Sequence, residues 1–256
     1  MKKTAKINLE INRTIRAFIT ITIVLVVISI FGSYYFGFLK NKDATTSVFI
    51  KLFDLNTEGN FPTLFSTILL VSASFLLGLI YLKKRWLKDI NRNYWIFLSI
   101  VFLFLALDES LQIHEKITNV INLFGTDKEV SLIAERPGFL KYVWVVPYLG
   151  LVVAVFFIVY RFLMRLPPAT RNLFLISGTV FCSGAIGLEF LQGHYDTLYG
   201  QNYYTVVLYT IEEALEMIGV IIFIYALLKY LSINKKDVQL NFRINFHPNK
   251  KVNVPK

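Results

Sequence analysis

Six long apolar blocks constrain this chain more than any other feature: about residues 14–38, 61–82, 93–113, 142–163, 172–192 and 204–231. Each is long enough to cross a hydrocarbon core of roughly 30 Å at about 1.5 Å rise per residue. In lipid a chain must satisfy its backbone polar groups within its own helices or within a closed barrel, and runs of this length fit helices. The expected fold is therefore all-α: a polytopic integral membrane helical bundle of about six transmembrane helices. The bundle is expected to occupy residues 1–232, and a basic, flexible tail residues 233–256. Charged residues make up only 17% of the chain, against about a quarter in a soluble domain. The single cysteine, Cys182, lies inside an apolar block, which excludes a disulfide framework and a cysteine zinc motif. The first block follows Met1-Lys2-Lys3 but is too long for a secretory signal, and no small-x-small cleavage site follows it; it reads as an uncleaved first helix.

Lys and Arg set the expected orientation. The segment up to Arg16, the connectors 83–92 and 161–171, and the tail from Lys229 together hold 20 of the 27 basic residues. The alternate connectors hold the other seven, along with eight acids. The asymmetry alternates across all six blocks and places both termini in the cytoplasm. The formal charge of +10 is then a membrane-topology signal, and no nucleic-acid partner is expected. The tail from Lys235 can lie on anionic lipid at about 1 kcal/mol per basic residue.

Six acids fall within the spans: Asp108, Glu109, Glu189, Glu212, Glu213 and Glu216. A single acid at the bilayer centre costs roughly 2.5–3.5 kcal/mol on insertion scales, so these groups must pair, take up protons or bind a cation. Measured from the basic markers, Asp108 and Glu109 lie about 22 and 24 Å above Asn93, and Glu189 about 27 Å above Arg171. Glu212 and Glu216 lie about 26 and 20 Å above Lys229, and Ser66 about 26 Å above Lys83, with Asn60 and Glu58 just beyond. Four helices of alternating direction therefore bring polar groups to one level, near the extracytoplasmic face of a cell membrane. On the last helix Glu212, Glu213 and Glu216 fall at about 0°, 100° and 40° of rotation, with Tyr209 at about 60°, which makes one polar face that points into the bundle.

The third block ends Glu109-Ser110-Leu111-Gln112-Ile113-His114 and the fifth contains Glu189-Phe190-Leu191-Gln192-Gly193-His194. The shared Glu-x-Leu-Gln-x-His, 80 residues apart, suggests an internal repeat in which helices two and three correspond to helices four and five. Positions five apart on an unbroken helix differ by about 140° in direction, so Glu and His of one copy cannot easily share an ion. Unwinding before the histidine would allow it, and Gly193 suggests this in the second copy. Carboxylates with neutral imidazole suit Zn, Mn or Fe. Glu109, Glu189, Glu212 and Glu216 are the expected metal ligands, with His114 and His194 as further ligands or, with Asp108, as catalytic acid/base groups. Glu58, Asn60, Ser66, Gln112, Gln192 and Glu213 are expected to support the site. Asn60 is suited to cap the second helix and Pro62 to its first turn. The segment 117–141, with Asp127, Glu129 and Arg136-Pro137-Gly138, is a candidate lid.

Glu58-x-Asn60 and Leu107-Asp108-Glu109 faintly resemble the alkaline ceramidase and adiponectin-receptor membrane hydrolases. That superfamily uses Ser-x-x-x-His and His-x-x-x-His pairs around zinc on seven helices. The three histidines here, His114, His194 and His247, are not so spaced, and the chain is not assigned to it. The leading expectation is a metal-dependent membrane enzyme acting on a lipid or lipid-linked substrate; the alternative is a proton- or cation-coupled transporter or channel using the same carboxylates. A sensor or assembly role is a third reading, and oligomeric state is not readable from sequence.

Overall fold

The computed structural model describes residues 2–37, 44–114, 116, 138–142, 144–200 and 202–233. Glu115, the candidate lid up to Pro137 and the basic tail from residue 234 lie outside them. The described chain runs α1 (Lys2–Gly37), α2 (Ala44–Phe53), α3 (Phe61–Trp86), α4 (Arg92–Leu111), a 3-10 turn (Gly138–Leu140), α5 (Val145–Arg165) and α6 (Pro168–Cys182). A π-helical segment (Ser183–Leu188), α7 (Glu189–Tyr199) and α8 (Tyr203–Ile233) complete it. Six stretches are long and apolar enough to cross a membrane: Glu10–Tyr34, Phe61–Trp86, Arg92–Leu111, Val145–Arg165, Pro168–Tyr199 and Tyr203–Ser232. They match the six apolar blocks within a few residues, apart from a longer fifth span. The short helix α2 was not anticipated; it ends where the N–H of Leu55 donates to Ser29 Oγ of α1 (3.1 Å).

Helix α8 is the axis of the bundle, packing on α1, α3 and α6. Small residues allow the closest approach. A Cβ on Gly219 would lie 2.8 Å from the backbone N of Phe181, and one on Gly184 would lie 2.7 Å from the carbonyl oxygen of Glu212. Ser177 Oγ donates to the Gly219 carbonyl across the same seam (2.9 Å). Without a hydrophobic drive between helices in lipid, such close backbone contact and interhelical hydrogen bonds hold the elements together. Helices α3 and α4 use the same device, with Ser74 Oγ donating to the Ser99 carbonyl and Ser99 Oγ to that of Ser74, each at 2.8 Å.

The two ends of the bundle differ. At the end bearing the basic connectors, Trp95 is fully buried. Its ring meets Phe162 edge-on (5.0 Å between centroids) and lies tilted on Tyr230 (4.9 Å). Lys84 pairs with Asp89 (2.7 Å), and Arg165 donates to Asn91 (3.1 Å). The opposite end holds the acids.

Candidate functional site

Helix α3 starts as its sequence suggests. Asn60 Oδ1 accepts from the N–H of Thr63 (3.2 Å), and Pro62 sits in the first turn. Asn60 also donates to the carbonyls of Asp54 (2.6 Å) and Lys51 (3.2 Å), so it ties down the whole loop that carries Glu58. Gly59, at φ +75°, turns that loop in the left-handed region where a glycine is unstrained.

Helix α4 stops at Leu111 because Gln112 adopts φ 55°, ψ 45°. The chain then folds back, and the N–H of His114 donates to Asp108 Oδ1 (2.9 Å). The imidazole is held between two carboxylates, with Nδ1 3.3 Å from Asp108 Oδ2 and Nε2 3.2 Å from Glu58 Oε1. Tyr148 of α5 donates its hydroxyl to Asp108 Oδ1 (2.8 Å), and Trp144 lies against the ring (4.7 Å between centroids). Burial alone would lower the basicity of His114, but hydrogen bonds and charge from Asp108 and Glu58 prevail and push its pKa up to about 10. His114 is thus a fixed cation with both ring nitrogens engaged.

Below it the acids of three elements converge. Glu212 of α8 is buried, and its carboxyl hydrogen-bonds that of Glu189, the first residue of α7. Glu216, one turn on, lies within electrostatic reach of Glu109 of α4, His114 and Glu189. Glu213 lies within electrostatic reach of Glu216, Glu109 and Glu58. The π-helical segment just before Glu189 re-phases the helix at this point, and Gly184 within it leaves room for the backbone of Glu212 and the Glu216 side chain. Glu58 Oε2 and Gln192 Oε1 are buried acceptors without a donor among the described residues. A set made of acceptors suits a cation. Among the described residues, however, no three His, Cys, Asp or Glu side chains are grouped closely enough to hold a metal ion as they stand.

A second polar knot fastens the mouth. The carboxylate of Asp196 is fully buried and pairs with Lys141 (3.0 Å). It also accepts from Thr205 (2.9 Å) and Tyr142 (3.4 Å). Burial and the nearby Glu189 and Asp196 push the Tyr142 hydroxyl above the ordinary phenol range, so it remains a donor.

Several sequence expectations need correction. The unwinding expected at Gly193 occurs instead at Gln112, and α7 runs unbroken through Gly193 and His194 to Tyr199. Gly193 has a packing reason: a Cβ there would meet the Gly138 carbonyl at 2.8 Å. The two Glu-x-Leu-Gln-x-His copies therefore differ in backbone. His194 lies flat on Phe139 (4.0 Å, 2° between planes), whereas His114 lies against Trp144. Tyr209, grouped by rotation with the glutamates, turns to α1 and the loop, with its hydroxyl 3.3 Å from Ser33 Oγ and hydrogen-bonded to Asp54. Ser66 is buried near the start of α3. Sequence reasoning missed Tyr148, Tyr142 and Lys141, since a tyrosine or lysine at a helix start reads as an ordinary interfacial residue.

These features define a multi-pass helical membrane protein with a carboxylate-rich site at one end of the bundle. Residues 18–231 match the model of a family described as a domain of unknown function (DUF8692), and the chain belongs to that family. No curated protein and no solved structure matches it.

Proposed function

We propose that this protein is a metal-dependent membrane enzyme acting on a lipid or lipid-linked substrate. In this reading Glu109, Glu189, Glu212 and Glu216 hold one or two divalent metals, Zn, Mn or Fe, on the extracytoplasmic side. The carrying observation is the convergence of these carboxylates from α4, α7 and α8, whose strongest electrostatic neighbours include one another and His114. Apolar surroundings tolerate such a group only when cations or protons neutralise it. The unpartnered Glu58 Oε2 and Gln192 Oε1 give the same preference for a positive or donating ligand. A divalent metal would supply a Lewis acid and an activated water. His114, with both ring nitrogens engaged by Asp108 and Glu58, supplies a fixed positive charge beside the carboxylates, and Tyr148 keeps Asp108 in place. The aromatic packing around Trp95 fills the opposite end of the bundle and supports a site open to one side only.

A second reading, proton- or cation-coupled transport, draws on the Glu189–Glu212 hydrogen bond, because two carboxyls pair this way only by sharing a proton. Elemental analysis of the purified wild type and of Glu212→Gln/Glu216→Gln decides between them. Transition metal in the wild type and its loss in the double variant support the enzyme. Absence of metal from both, even after metal is added back, overturns it. Metal-independent flux driven by a pH gradient in liposomes establishes the transporter.

A further inference from the structure

Glu189, Gln192 and Asp196 stand three and four residues apart along α7 and share one face of it. All three are buried, at 9%, 6% and 7% exposure, while Leu191 and Leu198 on the opposite side are 50% and 60% exposed. The polar face turns toward α8, whose Glu212 hydrogen-bonds Glu189 and whose Thr205 donates to Asp196 (2.9 Å).

The knot around Asp196 fixes which way round the Gln192 amide lies. The Asp196 carboxylate accepts from Lys141 (3.0 Å), Thr205 (2.9 Å) and Tyr142 (3.4 Å). Tyr142 thereby spends its one proton, and its hydroxyl oxygen is left to accept from Gln192 Nε2 (3.5 Å). The amide nitrogen is held on the Tyr142 side, so Oε1 faces away from it. That oxygen is buried and meets no donor among the described residues. A buried acceptor without a donor is costly, and a knot that holds it so points to a partner from outside the chain.

The surroundings name the charge of that partner. Glu189 lies one turn earlier, Glu212 is bonded to Glu189, and the Tyr142 hydroxyl beside the amide is within electrostatic reach of both. The described histidines are engaged elsewhere: His114 between Asp108 and Glu58, His194 flat on Phe139. Around Gln192 the donors are thus two carboxyls and its own amide oxygen. No three His, Cys, Asp or Glu side chains among the described residues are grouped closely enough to hold a metal. The amide supplies the third donor that the Glu189–Glu212 pair lacks.

We propose that Gln192 Oε1 is a neutral oxygen ligand to a hard divalent cation, Mn²⁺, held with Glu189 and Glu212. Amide and carboxylate oxygens with water suit Mn²⁺, whereas zinc sites draw on imidazole and thiolate. The amide also adds a donor without adding charge to carboxyls that already repel one another. The inference rests on the metal-enzyme reading and names a further ligand and the metal class of that site.

The full-length protein in nanodiscs, titrated with Mn²⁺ alone and read by electron paramagnetic resonance, tests it. The wild type is expected to bind Mn²⁺ with no imidazole nitrogen in its spin-echo modulation. Gln192→Leu keeps the bulk and removes the oxygen, and is expected to weaken binding about tenfold or more. Gln192→Glu keeps an oxygen but loses the N–H given to Tyr142, and is expected to bind at least as tightly as the wild type. A role confined to bracing Tyr142 would weaken both variants alike. Gln192→His is expected to bring a nitrogen signal onto Mn²⁺ and to raise affinity for Zn²⁺ relative to Mn²⁺. Equal binding by the wild type and Gln192→Leu overturns the assignment of Gln192 and leaves the metal reading standing. Equal weakening in Gln192→Leu and Gln192→Glu does the same, as does a nitrogen signal already in the wild type. Zn²⁺ bound without Mn²⁺ overturns the metal class alone, and a wild type that binds no divalent metal overturns both readings.

Discussion

Asp108 holds His114 twice, taking the backbone N–H on Oδ1 at 2.9 Å and facing the ring Nδ1 with Oδ2 at 3.3 Å. One carboxylate thus fixes both where the chain folds back after α4 and where the imidazole points, which leaves Nε2 aimed at Glu58. Asp108→Asn keeps the shape and removes the charge. The expected result is a fall in the His114 pKa from about 10 toward its ordinary value, read by NMR titration of ring-labelled histidine. Asp108→Ala removes the partner altogether and is expected to destabilise the protein by about 3 kcal/mol.

The sign of the pH dependence follows from the same pair. A folded-state pKa raised from 6.5 to about 10 gives His114 a stabilising contribution that is complete below the unfolded value and is lost as pH rises through about 10. Thermal unfolding in detergent is expected to show the wild type losing stability across that window. Asp108→Asn is expected to show a smaller loss there.

The membrane spans and the level of the acids were legible in the sequence because lipid leaves no alternative to long apolar helices and makes each acid within them conspicuous. The start of α3 was legible for a local reason, since Asn60 and Pro62 act within their own turn. What was not legible depends on packing. Nothing in Glu-x-Leu-Gln-x-His says that the first copy breaks at Gln112 while the second continues; contacts from Gly138 and Tyr142 against Gly193 favour the helix there. The π-helical segment before Glu189 accompanies the backbone approach of Gly184 to Glu212, a feature with no sequence period to reveal it.

The two glutamines of that repeat are expected to respond oppositely to glycine. Gln112 has φ 55°, where glycine is relaxed, so Gln112→Gly is expected to be neutral or to stabilise by up to about 1 kcal/mol. Gln192 is in the interior of α7 and donates to the Tyr142 hydroxyl (3.5 Å), so Gln192→Gly is expected to destabilise by about 1 kcal/mol or more. Chemical denaturation of the two variants in mixed micelles reads the difference.

The seam between α6 and α8 makes a steric prediction. An added Cβ at Gly219 meets Phe181 backbone atoms at 2.8–2.9 Å, which no side-chain rotation relieves. Gly219→Ala is expected to lower stability by roughly 1–3 kcal/mol. Gly78→Ala, whose Cβ would sit 3.7 Å from Ser99 Oγ, is expected to be tolerated. Because Gly219 lies one turn below Glu216, the first variant is also expected to weaken whatever ligand the carboxylates hold, and the second is not.

The placement of the site in the membrane can be checked without knowing its chemistry. His114 and His194 both lie at the acidic end, where residues 138–142 and 144–148 meet both: Phe139 stacks on His194, Lys141 pairs with Asp196, and Trp144 lies against His114. The basic connector carrying Lys88 lies at the other end, which the orientation proposed from the charge asymmetry would put in the cytoplasm. In a Cys182→Ser background, a cysteine at exposed Lys116 is expected to react with an impermeant thiol reagent in intact cells. A cysteine at exposed Lys88 is expected to react only after the membrane is opened. Labelling of both from the same side overturns α4 as a membrane-spanning helix. Labelling of Lys88→Cys alone in intact cells inverts the topology and puts the carboxylate site on the cytoplasmic side, where its lipid would be drawn from the inner leaflet.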